Sequence, residues 1–487
     1  MTLDIELIGI EPKIWRRVEV DAGLPLDRLH EVLQPTMGWT NSHGHAFVDH
    51  DPFVPPSRSL SIVPRLWHAP EALANGAQGF NESAETVANA LHFGGGSLWY
   101  EYDFGDGWVH VIREVSRRPR SVGEPEARVV DGARRGPLED CGGISGWAEL
   151  LALWADPARD AAERADAMAW IAEMQGFGRP FDPEDFDVEA ANVALALALE
   201  TRRLGALLAA QGIEDEQSAD RFLRKLDRSD ESIKARHRAG RWIATLNPWC
   251  RNDFGVALHR AGIDPLGGPV NPALPAHGEA AVAPYQWLIR ACAAGGLPLT
   301  PKGNLNQQSV VRVVEELGWQ DHVYGTGKTE NVAPVVAMLR ESARGAGLVK
   351  QDGKKLVATA AGRTLADDPA GLWVRLCARA IPARTSEYHL DVAMLELLVT
   401  ALGSRGGKDL EANGIWRGLE MLGYVRPDGE PLAQTWFIRN VEQLADTQKV
   451  LGSTCRRDAG GREVDPAAAG PRKRRLLRDF ALAVLQS

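Results

Sequence analysis

Apolar residues near the start of the chain recur at strand-like spacing. Ile5, Leu7 and Ile10 precede Glu11-Pro12, and Ile14, Trp15, Val18 and Val20 follow it, which predicts two short strands within 4–20. The period then lengthens: Leu26, Leu29, His30, Val32 and Leu33 mark a helix that starts after the turn at 21–25 and ends near Gly38-Trp39. His43-Gly-His45-Ala-Phe47 begins another strand, on which His43 and His45, two positions apart, are expected to point the same way. Small and polar residues over 51–90 predict a long loop carrying a short helix. Trp99, Tyr100, Tyr102 and Phe104, a break at Gly105-Asp-Gly107, and then Trp108, His110 and Ile112 read as a hairpin, because Asp-Gly supplies the positive φ of tight turns. An Arg- and Gly-rich stretch, 116–136, reads as irregular. A tight turn at Leu138-Glu-Asp-Cys-Gly-Gly143 and three helices follow, near 146–154, 157–175 and from 188 on, the last with Val188, Ala191, Leu195 and Leu199 as its apolar stripe.

Composition shifts after residue 200. Residues 201–261 read as a basic helical connector, with Arg221, Arg224, Lys225, Arg228, Lys234, Arg236, Arg238 and Arg241 along it, and 262–283 as a Pro- and Gly-rich linker. Beyond it, Gly347-Leu-Val-Lys-Gln-Asp-Gly-Lys-Lys-Leu356 parallels Gly423-Tyr-Val-Arg-Pro-Asp-Gly-Glu-Pro-Leu432, each a predicted strand, Asp-Gly turn and strand after a helix. In the first copy a helix, the short strand Leu297-Pro-Leu-Thr300 and two more helices precede the hairpin. That order resembles a winged-helix domain over 284–385, with a second, looser one over 386–487. The expected fold class is therefore α+β: an N-terminal α+β domain over 1–200, then a mostly helical, winged-helix-like C-terminal half.

Bulk numbers narrow the class. At 487 residues several cores are expected, and 44% hydrophobic with 25% charged residues suits a folded globular chain. No apolar run reaches the roughly 18–20 residues that span a bilayer. The first residues lack the basic and apolar regions of a signal peptide. Five scattered cysteines without a CxxC pair argue against a disulfide framework or thiolate zinc site, so a cytoplasmic location is expected. Charge is split: Met1 to Glu200 holds 33 acidic and 16 basic residues and the remainder 32 and 39, which directs any polyanion to the back half.

Candidate chemistry lies in both halves. His43, His45, Asp103, Asp106, His110, Glu139 and Asp140 could form a site; His43, His45, Asp106 and His110 are its first candidates as ligands of a divalent metal, since imidazole and carboxylate suit zinc, iron or manganese. Such an ion could activate water. Cys141, before a helix, reads as a packed thiol rather than a nucleophile. Gly325-Thr-Gly-Lys-Thr329 falls short of a phosphate loop, because His322 stands where its first glycine belongs. For duplex DNA, the cations expected to meet phosphates are Arg221, Arg224 and Lys225, Lys350, Lys354 and Lys355 on the first wing, and Arg472, Lys473, Arg474 and Arg475.

Several motifs in the front half carry a family resemblance. Leu29-His30-Glu-Val-Leu with Met37-Gly-Trp39-Thr-Asn-Ser-His43, Tyr102-Asp-Phe-Gly-Asp-Gly-Trp108-Val-His110, Glu139-Asp-Cys-Gly-Gly143 with Gly146-Trp147, and Phe181-Asp-Pro-Glu-Asp-Phe186 with Asn192 resemble the plasmid pRiA4b ORF-3-like family. The resemblance covers about 1–200 and implies a compact α+β domain of plasmid- and transposon-associated proteins with no established activity. Where family members carry Pro-Cys and Cys-Pro-Pro around a Gly-rich turn, this chain reads Arg128-Val-Val-Asp-Gly-Ala-Arg-Arg-Gly-Pro137-Leu. No serine with a supporting arginine cluster accompanies it, so strand cleavage of the serine-recombinase kind is not expected. The expectation is a non-enzymatic accessory protein of a plasmid or mobile element that binds DNA through its back half. The alternatives are a metal-dependent hydrolase or nuclease built on the front-half His/Asp cluster, and a module that binds only a protein partner.

Overall fold

The computed structural model describes residues 1–54, 64–156, 161–174, 181–213, 218–219, 222–223, 230–246, 248–325, 328–403, 408–425, 441–456 and 466–487. The chain divides into two compact units, one of 1–219 with 247–256, the other of 220–246 with 257–487. The Pro- and Gly-rich stretch 262–283 thus lies inside the second unit, and its last residues already open a helix.

The first unit is built on one sheet. Its described strands are β1 (Thr2–Leu7), β2 (Trp15–Val20), β3 (His45–Val48), β4 (Leu66–His68), β5 (Phe80–Asn81), β6 (Ser97–Tyr102), β7 (Trp108–Ser116) and β8 (Ala127–Ala133), in the order β5-β4-β3-β6-β7-β1-β2-β8. Neighbours are antiparallel except β4 and β5. Alternation decides the faces: Leu3, Ile5, Leu7, Val18, Leu98, Tyr100, Tyr102, Trp108, His110 and Ile112 are buried on the core side. Register sets His45 opposite Tyr102, Phe47 opposite Tyr100, and His110 opposite both Tyr100 and Leu7.

Helix α1 (Leu26–Met37) carries the apolar stripe that covers this face, and Gly38 ends it in the left-handed conformation, φ 87°. Further described helices include α2 (Val87–Phe93), α3 (Gly143–Ala155), α4 (Ala161–Met174) and α5 (Val188–Ala210), besides a short one at Pro70–Ala74. Asn192 of α5 both accepts from Val129 N (2.9 Å) and donates to Val129 O (2.8 Å), which satisfies the outer edge of β8. Arg16 is buried among the sheet residues, where it donates to the carbonyls of Thr36, Trp15 and Ala133 and lies 3.9 Å over the Phe186 ring.

Two local expectations need correction. The stretch 116–136 is not irregular throughout, because β8 forms within it by pairing with β2. Its Arg, Asp and Gly hide a strand whose outer face needs no apolar residues. The stretch 51–90 carries the expected short helix, Pro70–Ala74, but its described residues also hold β4, β5 and the start of α2, strands too short to leave a periodic signal.

In the second unit, α6 (Gly278–Ala293), β9 (Leu297–Pro298), α7 (Gln307–Leu317), α8 (Pro334–Gly345), β10 (Val349–Asp352) and β11 (Lys355–Ala358) follow one another, with the strands paired in the order β10-β11-β9. Later helices include α9 (Glu387–Leu402), α10 (Glu442–Ser453) and α11 (Pro466–Leu485). Helix α8 packs along α10: Gln443 Nε2 donates to Ser342 O at 2.8 Å, and its side chain fills the space above Gly345. The hairpin expected in the second sequence copy lies from 426 on outside the described residues. No described helix is long and apolar enough to cross a membrane.

Candidate metal centre

Three segments meet where β3 begins, the β6–β7 hairpin turns, and the chain enters α3. Each contributes one ligand-type side chain. His43 Nε2 faces Asp140 Oδ1 at 3.4 Å and Asp103 Oδ2 at 3.6 Å. The three candidate atoms all lie within 4.8 Å of one another. Ligand atoms around an ion bound at 2.0–2.2 Å sit about 3–3.5 Å apart, so little adjustment would close this set on a cation. His43 Nε2 is shielded from solvent and makes no hydrogen bond. The Asp103 side chain is only 9% exposed, whereas that of Asp140 is 64% exposed, so the set opens to solvent on the Asp140 side.

Backbone conformation is specialised at the same place. Asn41, Asp103 and Asp140 hold φ of 60°, 56° and 57°, and among the described residues Arg134 is the one further non-glycine residue with positive φ. Each such residue costs on the order of 1 kcal/mol, and Asn and Asp tolerate it best. Hydrogen bonds hold Asn41 and Asp103 in place. Asp103 Oδ1 accepts from Gly105 N (3.0 Å) and Asp106 N (3.3 Å), leaving Oδ2 for His43.

Asn41 closes a four-membered circuit. Its N–H donates to Gln34 Oε1 (2.9 Å), Gln34 Nε2 donates to the Tyr100 hydroxyl (3.0 Å), that hydroxyl lies 2.8 Å from His30 Nδ1, and His30 Nε2 lies 2.7 Å from Asn41 Oδ1. Because Asn41 Oδ1 can only accept, the His30 proton lies on Nε2, and in the neutral ring Nδ1 then accepts from the Tyr100 hydroxyl. Burial, then the neighbouring His45, pushes His30 down to about 3.

The remaining candidates take other roles. His45 does not share a face with His43, because β3 begins only at His45. It stacks flat on His30, ring centroids 3.5 Å apart, and meets buried Glu82 at 2.8 Å. His110 is fully buried, with Nδ1 3.3 Å from Tyr100 O, and burial lowers it to about 4. It is a core residue rather than a ligand. Asp106 is a latch: its Oδ2 accepts from Gly142 N at 3.2 Å, and Gly143 (φ 69°) presses on Asp106 O, leaving a Cβ only 2.6 Å of room. Glu139 accepts from Thr40 N (3.2 Å), Thr40 Oγ1 (2.6 Å) and the Tyr102 hydroxyl. Burial first, then Glu139, keeps Tyr102 protonated by raising its pKa. Glu139 and Asp106 thus clamp the turn on either side of Asp140. Burial, followed by Asp106, pushes the Cys141 thiol up to about 12, which disfavours the thiolate form.

Tyr102, Thr40, His30, Asn41 and Glu82 were absent from the sequence candidates. His30 stood within the apolar stripe of α1, Tyr102 on the hairpin, and Thr40 and Asn41 in a family motif, while Glu82 left no trace. At the far end of β7 a cavity of about 520 Å³ is lined by Arg117, Arg118, Arg120 and Arg128 among others, but these arginines pair with Glu114, Glu19, Glu124 and Asp21.

In the second unit, Lys350 and Lys354 stand exposed on the β10–β11 hairpin, while Lys355 donates to Gly295 O at 3.0 Å. Lys473, Arg474 and Arg475 are exposed on α11 and Arg472 is half-buried. Arg221, Arg224, Lys225 and Arg228 lie outside the described residues. The rest of the connector is not a continuous basic face: Arg236 is buried, Lys234 pairs with Glu231, and Arg238 and Arg241 donate to the carbonyls of Ala378 and Arg236. The loop at 325–329 is described only in part.

Together these features define an α+β domain with a histidine and two carboxylates at the turn end of its central hairpin. Residues 1–190 match the family of plasmid pRiA4b ORF-3-like proteins. The chain is 32% identical over 190 residues to the uncharacterized protein y4hQ of Sinorhizobium fredii, covering 39% of this chain and 84% of that one. It belongs to the plasmid pRiA4b ORF-3-like family. It is also similar to the crystal structure of the protein of unknown function MM3350 from Methanosarcina mazei Go1, at 27% identity over 39% of this chain and 94% of that one, with a TM-score of 0.32.

Proposed function

We propose that the N-terminal domain binds a divalent cation through His43, Asp103 and Asp140 and that this ion is its functional centre. The observation that carries the reading is the shielded, unbonded His43 Nε2 between two carboxylate oxygens at 3.4 and 3.6 Å. One imidazole and two carboxylates suit zinc, manganese or iron(II) and leave coordination positions for water or a ligand. Metal-assisted hydrolysis is the reaction class that such a centre serves. Protein stripped with chelator is expected to take up one equivalent of zinc or manganese per chain. Asp140→Asn, which removes the charge but keeps a residue that tolerates the φ of 57°, should weaken uptake by roughly 10- to 100-fold without lowering the melting temperature of the metal-free protein. Unchanged uptake in that variant would overturn the assignment.

A second reading, duplex-DNA binding by the second unit, is favoured by a different observation. Lys302, Lys350 and Lys354 are exposed on the loop and hairpin of a helix, strand, helix, helix, hairpin sequence of elements. That sequence is the order of a winged helix. Helix α8, which would enter the groove in such a domain, is packed along α10. The contact expected is therefore of the hairpin with phosphates rather than of a helix with base edges. Three such contacts predict a slope of log K against log salt near −3, reduced by about two in Lys350→Ala/Lys354→Ala. A salt-independent interaction, or none at low salt, would leave the protein-partner alternative for this half.

A further inference from the structure

We infer that the cation centre takes a small ligand with a planar apolar group beside its metal-binding head, and that polyanions are poor ligands for it. The inference rests on the cation reading above. Phe104 follows the ligand Asp103 directly, and its ring lies on Gly44, which follows the ligand His43 directly; a Cβ at Gly44 would stand 3.1 Å from Phe104 Cε2. The ring thus lies beside Gly44, and Phe104 and Gly44 each adjoin a ligand in sequence. It nevertheless stays 56% exposed. Core burial does not account for an aromatic side chain held in this way, and it offers a face for stacking.

Charge sets the second half of the inference. Asp103 and Asp140 already balance a divalent ion. Asp106 and Glu139, which clamp the Asp140 turn, add two more carboxylates around it. A ligand with several negative charges meets repulsion here that the ion does not offset, whereas a neutral or singly charged head does not. A phosphodiester strand is thereby disfavoured at this centre.

Cobalt(II)-loaded full-length protein provides the test, with ligand binding read from the visible absorption of the ion. Benzohydroxamate and acetohydroxamate share a metal-binding head and differ in the planar apolar group, and methylenediphosphonate supplies the polyanion. Benzohydroxamate is expected to bind roughly three- to tenfold more tightly than acetohydroxamate, the worth of one aromatic contact. Phe104→Ala should abolish the difference while leaving acetohydroxamate unchanged, and methylenediphosphonate should bind most weakly. Equal affinities for the two hydroxamates in the unsubstituted protein would overturn the inference while leaving the cation centre standing. So would a preference that survives Phe104→Ala, or tightest binding by the diphosphonate. Failure to load cobalt at all would remove both.

Discussion

Replacing Glu330 with glutamine is expected to destabilise the second unit by about 3–5 kcal/mol, the usual cost of breaking a buried ion pair from one side. Glu330 and Arg340 are 3% and 6% exposed, and the guanidinium meets both carboxylate oxygens, Nε to Oε1 at 2.8 Å and Nη2 to Oε2 at 2.7 Å. Burial alone would lower the Arg340 pKa, but Glu330 more than reverses this. Glutamine keeps the shape and removes the charge, so the guanidinium stays buried beside an amide with the partly exposed Glu341 as its remaining carboxylate. Glu330 Oε1 also accepts from Leu305 N at 2.9 Å, which ties the end of the loop carrying Lys302 to α8. The double replacement Glu330→Leu with Arg340→Met should recover part of the loss, because two well-packed apolar residues need no partner, although Leu305 N is left without its acceptor. Urea unfolding of the three proteins checks this. A loss under 1 kcal/mol in Glu330→Gln, or no recovery in the double variant, would refute it.

This pair was invisible in the sequence, where 330 and 340 are two charges among many in a basic half. The elements that were legible carry repeating patterns. The stripe of α1 and the alternation of β1, β6 and β7 follow from burying one face, and Gly38 and Gly107 end or turn elements at positive φ as such residues should. Legibility failed where tertiary contact rather than pattern decides. β8 exists because β2 and Asn192 hold its two edges. His43 left the strand because the Asn41 circuit turns the chain before it. The candidate centre shows the same limit. Residue type and motif put His43, Asp103 and Asp140 among seven candidates, yet which carboxylates faced His43 depended on two turns 37 positions apart being latched by Asp106, itself one of those candidates.

Acidification from pH 7 to 5 should weaken the first unit by about 2 kcal/mol for each of His30 and His110. Both are buried neutral, with pKa values pushed by burial to about 3 and about 4 from an ordinary 6.5. The unfolded chain therefore binds protons near pH 6.5 that the folded one refuses. Stability is complete above that value and is lost as pH falls toward 4. The structural reason is plain at His30, whose Nδ1 accepts the one proton of Tyr100; an imidazolium there would set two donors against each other and open the circuit that holds Asn41. Glu31 works in the opposite sense. Burial raises it to about 7, so its penalty appears as pH rises from about 4.5 through 7 and is relieved on acidification. Glu31→Gln should remove that relief and steepen the acid loss, while His110→Leu should remove one histidine's share and flatten it. Unfolding free energies at half-unit pH intervals separate the two effects. If His110→Leu left the slope between pH 7 and 5 unchanged, His110 would have to be charged or solvated in the folded state, and the sealed aromatic core around Trp39 and Tyr100 would have to admit water.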